Sequence, residues 1–133
     1  MALLNNVHIP ASSMAIYNLH CESKGSDNLR CLQLREFLQH AKCYSLDVPV
    51  LAAGDFNFDL SQGEAATALA DTGFHNPFVT LRRATTVSHS LPRRDRVIDW
   101  ILLRGPLTAT DAQVHSSVGA SDHYPLSLTV CFS

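Results

Sequence analysis

The stretch Val48-Pro49-Val50-Leu51-Ala52-Ala53-Gly54-Asp55-Phe56-Asn57 decides the fold. Its first six residues are almost wholly apolar. So short an apolar run reads as a strand buried on both faces rather than as a helix. Gly54 permits a sharp exit and leaves room for a ligand close to the backbone. If the chain stays extended beyond it, Asp55 and Asn57 project to one side while Phe56 and Phe58 anchor the loop from the other. A carboxylate beside a carboxamide can hold a water, a phosphate oxygen or a cation. An Asx-turn closing the strand would use the same two residues.

Working outward from this strand, Leu3–Ile9 and Met14–Leu19 read as two strands joined by a turn at Pro10-Ala11-Ser12-Ser13. Asp27 reads as the cap of a helix running to about Tyr44, with Cys31, Leu34, Leu38 and Ala41 on one face. Beyond the central strand, Gly63–Asp71 predicts a short helix ended by Gly73. Val97–Leu103 predicts a second buried strand, Gly105-Pro106 a turn, and Ala109–Ser116 a further strand. Tyr124–Phe132 alternates Leu126, Leu128 and Val130 on one face, as a half-buried final strand does. The order ββαβαβββ predicts an α+β domain. Its mixed, mainly antiparallel sheet would carry both helices on one face and leave the other face bare and unusually apolar.

Composition sets the outer bounds. A chain of 133 residues, 46% hydrophobic and 17% charged, is one globular domain and neither disordered nor low-complexity. No apolar run is long enough to span a bilayer, and Met1–Asn6 shows no basic segment leading into a long apolar one, so no secretory leader is expected. Cys21, Cys31, Cys43 and Cys131 form no CxxC pair, which argues against structural zinc. They read as reduced thiols of a cytoplasmic protein, with Cys131 as a small core residue. The net charge of −2 points to no polyanion. Yet six of the eight Arg fall between Arg82 and Arg104 against only Asp95 and Asp99, a local excess of +4. Such a patch suits a phosphate-bearing ligand; a solvated basic hairpin has the same composition.

Three further segments carry chemistry. In Arg96-Val97-Ile98-Asp99-Trp100-Ile101, Asp99 stands inside an apolar strand, where a carboxylate needs a strong donor. Arg94 or Arg96 could serve, or a histidine. In Ser121-Asp122-His123-Tyr124-Pro125-Leu126, His123 is such a histidine, since a buried Asp can orient an imidazole and raise its basicity. Asp122, its neighbour, diverges from that ring and is free to face a metal. In Asn18-Leu19-His20, the Asn and His share a face at a strand end.

These segments, together with Gly54-Asp55-Phe56-Asn57, resemble in order and spacing the endonuclease/exonuclease/phosphatase superfamily, the deoxyribonuclease-I-like fold. The resemblance covers essentially the whole chain, residues 1–133, as the C-terminal half of the family's domain. It implies half of a four-layer α/β/β/α sandwich, completed by an N-terminal half or by self-association through the exposed sheet face. It also implies phosphodiester or phosphomonoester hydrolysis with Mg²⁺ or Mn²⁺, on nucleic acid, inositol phosphates or phospholipid head groups. By analogy Asp55 orients or deprotonates the attacking water, Asn57 holds that water or a phosphate oxygen, and His20 binds another phosphate oxygen. His123, held by Asp99, hydrogen-bonds the phosphoryl group, and Asp55, Asn57 and Asp122 lie at the metal. The family's principal metal-binding Glu has no counterpart, because Glu22, Glu36 and Glu64 follow the wrong motifs. The resemblance therefore implies weak or absent activity in this half alone. The alternative is a non-catalytic remnant, or a phosphate- or nucleic-acid-binding module.

Overall fold

Val50–Asp55 forms strand β2, whose Val50, Leu51, Ala52 and Ala53 are all buried because it is the middle strand of its sheet. The computed structural model describes residues 13–78, 84–87 and 96–133. In chain order the elements are β1 (Ala15–His20), α1 (Asp27–Ala41), β2, α2 (Gly63–Leu69), β3 (Asp99–Arg104), β4 (Leu107–Val114) and β5 (Leu126–Phe132). β1 pairs parallel with β2, with α1 as the crossover that parallel neighbours require. β3 pairs antiparallel on the other side of β2. The sheet is thus mixed, and β4–β5 is a separate antiparallel hairpin. The expected strand at Leu3–Ile9 lies outside the described residues.

Side-chain alternation divides the three-stranded sheet into two chemically different faces. Tyr17, Leu19, Ala52, Trp100 and Leu102 meet Cys31, Leu34, Phe37, Leu38 and Ala41 of α1 and Ala65 of α2 in the main core. Both helices therefore lie on one face. The opposite face is not left bare. Leu51, Ala53 and Leu103 pack there with Leu107, Ala109, Val130 and Phe132 of the hairpin. The chain covers part of that face itself, while Ile16 on β1 remains 43% exposed.

Local signals misplaced several element ends. Ser26, not Asp27, is the N-cap of α1, accepting the Leu29 N–H on its side chain. That helix stops at Ala41, where Arg104 donates to the Ala41 and Tyr44 carbonyls in place of a further turn. Cys131 is exposed rather than in the core, because it points away from the face that carries Val130 and Phe132. All four cysteines are free thiols. Among the described residues no helix is long and apolar enough to cross a membrane.

Candidate active site

Strand register assembles the site. His20 at the end of β1 is the register partner of Asp55 at the end of β2, and Asp55 is the partner of Asp99 at the start of β3. The three residues form one row across the sheet, on the face away from the helices. His123, in the loop before β5, comes down onto this row. The cleft there holds about 620 Å³ and is lined by Asn18, His20, Asp55, Asp99, His123 and Tyr124 among others.

The distances order these groups into a chain of contacts. His123 Nδ1 lies 3.0 Å from both carboxylate oxygens of Asp99, so an N–H at that position donates to the carboxylate. This leaves Nε2 facing Asp55, 3.9 Å from Oδ2. His20 Nε2 stands at the same distance, 3.9 Å, from that oxygen. Asp55 thus presents one oxygen between two imidazoles. Its other oxygen accepts the Asn57 N–H at 2.8 Å.

Asp99 has the least exposed side chain of the row, and burial pushes its carboxyl above the usual carboxylate range. The Thr85 hydroxyl and the His123 ring oppose that shift, and the Asp55 charge adds to it. Arg96 is not its partner, since that guanidinium donates instead to the Asn57 carbonyl at 2.7 Å. Behind the row, burial raises the Cys21 thiol to about 11, and its carbonyl accepts the Asn57 side-chain amide at 2.9 Å.

Asn57 departs from the extended geometry its spacing suggested. Its φ of +59° turns the chain into the left-handed region, which Asn tolerates. The carboxylate of Asp55 then closes an Asx-turn onto its N–H. Its side chain is buried and donates to the Cys21 carbonyl instead of standing beside Asp55. Asp122 is also apart from the row. Its side chain is exposed, with Ser121 Oγ at 3.4 Å, while its carbonyl accepts the Val87 N–H.

The described residues that could hold a cation together are Asp55, Asp99 and His123, each with one donor atom within 4.8 Å of the others. Two carboxylates and an imidazole fit a divalent ion in charge and in donor chemistry. They leave most of an octahedral shell to water and substrate. Of the metal ligands the resemblance implied, this group contains Asp55 and not Asp122, while the Asn57 side-chain amide is turned onto the Cys21 carbonyl. Glu22, Glu36 and Glu64 are outside the group as well.

Sequence reasoning missed Thr85 and Thr86. The two hydroxyls meet the Arg96–Asp99 backbone, and Thr86 bridges to His123. A pair of β-branched residues inside a polar, Arg-rich stretch was the only available signal.

Residues 12–123 match the model of the endonuclease/exonuclease/phosphatase family, and the chain belongs to that family. It is similar to D. rerio TDP2 complexed with a single-strand DNA product, at 25% identity and a TM-score of 0.65 over 82% of this chain and 52% of that one. It is similar also to the human Nocturnin catalytic domain with bound sulfate, at 17% identity and a TM-score of 0.67 over 89% of this chain and 46% of that one. A third likeness is to a Bacteroides thetaiotaomicron mannosyl-6-phosphatase, at 20% identity and a TM-score of 0.56 over 88% and 51% of the two chains. The chain therefore forms part of the deoxyribonuclease-I-like fold and spans about half the length of these structures. Comparison with curated proteins gives no significant match.

Proposed function

We propose that this chain is the C-terminal half of a divalent-cation-dependent phosphoesterase that acts on nucleic acid, and that it is weak by itself. The observation carrying the reading is the single Asp55 oxygen set between His20 and an Asp99-held His123. Similarity to a TDP2 crystallised with a DNA product supports a nucleic-acid substrate.

In this reading Asp55 Oδ2 accepts a proton from the water whose oxygen attacks phosphorus as the ester P–O bond breaks. Asp99 accepts the His123 Nδ1–H and turns Nε2 to the cleft, where the protonated ring donates its Nε2–H to a phosphoryl oxygen. At 3.9 Å from Asp55 Oδ2, Nε2 meets the phosphoryl oxygen beside the carboxylate and not across it. His20, exposed at the rim, takes another phosphate oxygen. Asn57 acts indirectly, by holding the loop that aims Asp55. Asp55, with Asp99 and His123 beside it, would hold Mg²⁺ or Mn²⁺, and the bound ion would polarise the phosphoryl oxygens as a Lewis acid. Weak turnover follows from the few protein ligands. Mg²⁺ gives up its waters reluctantly and needs carboxylates already in place.

The test is hydrolysis of bis(p-nitrophenyl) phosphate by the purified chain with Mg²⁺ or Mn²⁺, beside Asp55→Ala and beside D. rerio TDP2. The expected result is cation-dependent turnover above the Asp55→Ala variant but roughly a hundredfold or more below TDP2, matching a loss of a few kcal/mol in transition-state binding. Turnover no higher than that of Asp55→Ala would replace the enzyme by the binding-module reading. Turnover equal to TDP2 would overturn the weak-half reading.

The Arg stretch enters this reading in part. Arg82, Arg83, Arg93 and Arg94 lie outside the described residues. Arg96 is described, and its bond to the Asn57 carbonyl gives it an anchoring role. Arg96→Gln is expected to lower stability by about 1 kcal/mol, the worth of one hydrogen bond from a charged donor at a partly open site. Urea midpoints measure this. An unchanged midpoint together with a flatter salt dependence of oligonucleotide binding would make Arg96 a phosphate contact instead.

A further inference from the structure

Thr85 belongs to none of the four motifs, yet it is only 3% exposed and ties the two halves of the Asp99–His123 pair together. Its Oγ1 stands 3.0 Å from the backbone nitrogens of both Ile98 and Asp99 and accepts from each. Its N–H donates to the Arg96 carbonyl at 2.8 Å, and its own carbonyl accepts the Tyr124 N–H at 2.7 Å. One residue is therefore bonded to the backbone that carries Asp99 and to the residue next to His123. A hydroxyl has two acceptor lone pairs and one proton, so with two incoming N–H groups that proton is left for the Arg96 carbonyl, at 3.4 Å. Valine would fill nearly the same volume but accept nothing, leaving the Ile98 and Asp99 N–H groups without this acceptor.

We propose that Thr85 is the positioning residue of the pair, setting through its hydroxyl on Ile98 and Asp99 and its carbonyl on Tyr124 the separation at which Asp99 holds the His123 ring. Its effect on turnover rests on the phosphoesterase reading; its effect on the hydrogen bond does not.

The experiment is NMR of the 133-residue chain, following the proton on His123 Nδ1, assigned by its absence in His123→Gln. The parent and Thr85→Ser are expected to show a downfield-shifted resonance. Thr85→Val is expected to lose it to solvent exchange while keeping the dispersed spectrum of a folded chain. A folded Thr85→Val that keeps the resonance overturns the proposal, and so does a Thr85→Ser that loses it. Should Thr85→Val fail to fold, amide exchange in the parent decides. Protected amides at Ile98 and Asp99, with protection retained in Thr85→Ser, support the hydroxyl contacts, and fast exchange at both overturns them. Turnover measured on the same samples separates the two claims. A parent that shows the resonance but no cation-dependent hydrolysis leaves Thr85 as positioner and removes only the phosphoesterase reading.

Discussion

Gly54→Ala is expected to cost the chain about 4 kcal/mol or more, the range reserved for severe backbone clashes and enough to unfold a marginal domain. A Cβ at Gly54 would stand 1.8 Å from the Leu19 carbonyl oxygen and 2.8 Å from its carbon, both backbone atoms. No rotamer change relieves such an overlap, so β1 would have to move off β2. The φ of +148° adds a second penalty, because side-chain-bearing residues rarely adopt it. Leu19 and Gly54 are register partners one position before His20 and Asp55, so a separation there also dismantles the row that forms the site. Gly119→Ala is the control, since nothing lies within 4 Å of a Cβ at that position. It is expected to stay within about 0.5 kcal/mol of the parent, as ordinary surface substitutions do. Urea unfolding of both variants measures the difference. A Gly54→Ala midpoint close to that of Gly119→Ala would mean that the two strands do not approach as described.

Asp99→Asn is expected to separate stability from activity. A carboxyl whose folded pKa is raised contributes stability that is fully present below its unfolded pKa and lost as pH rises through the folded one. Burial raises Asp99, so its ionised form at neutral pH is held at a cost. The variant should then melt no lower than the parent near pH 7. The parent should gain on it as pH falls through the Asp99 range, which melting curves between about pH 4 and pH 7 would record. Turnover should move the other way. An amide can offer its N–H₂ to the ring and favour the wrong tautomer, a change worth about 10⁴ in rate where an aspartate orients a catalytic histidine. Turnover is therefore expected to fall to the level of Asp55→Ala. A variant that melts well below the parent at neutral pH would show the carboxylate to be net stabilising. A variant that turns over like the parent would remove Asp99 from the site.

How much of this was legible beforehand differs from residue to residue. The β2 run could be read because burial on both faces forces unbroken apolarity, a local property of composition. The face of α1 could be read for the same reason, through its spacing of three and four. Its ends could not, because Ser26 and Asp27 are both good caps and only the surrounding loop chooses between them. Asn57 stayed open between two geometries, because period-two alternation holds only while the backbone stays extended and Asp-Phe-Asn suits an Asx-turn equally well; the tertiary structure takes the turn. The cover over the second sheet face was missed because β4 and β5 show which of their faces is apolar and not which surface that face meets.

The sequence by itself determined the element types, the α+β class and the handful of side chains able to do chemistry. These follow from periodicity, from the desolvation cost of a carboxylate in an apolar strand and from motif resemblance, all of which act within a few residues. The tertiary structure alone decided that His20, Asp55 and Asp99 stand in one row and that His123 meets Asp99 rather than Arg96 doing so. It alone decided that Asp122 stays outside the group and that Thr85 bonds the backbone behind Asp99. Register and loop placement depend on contacts between segments dozens of residues apart. A shift of one residue would turn each of these side chains to the opposite face without altering any local pattern.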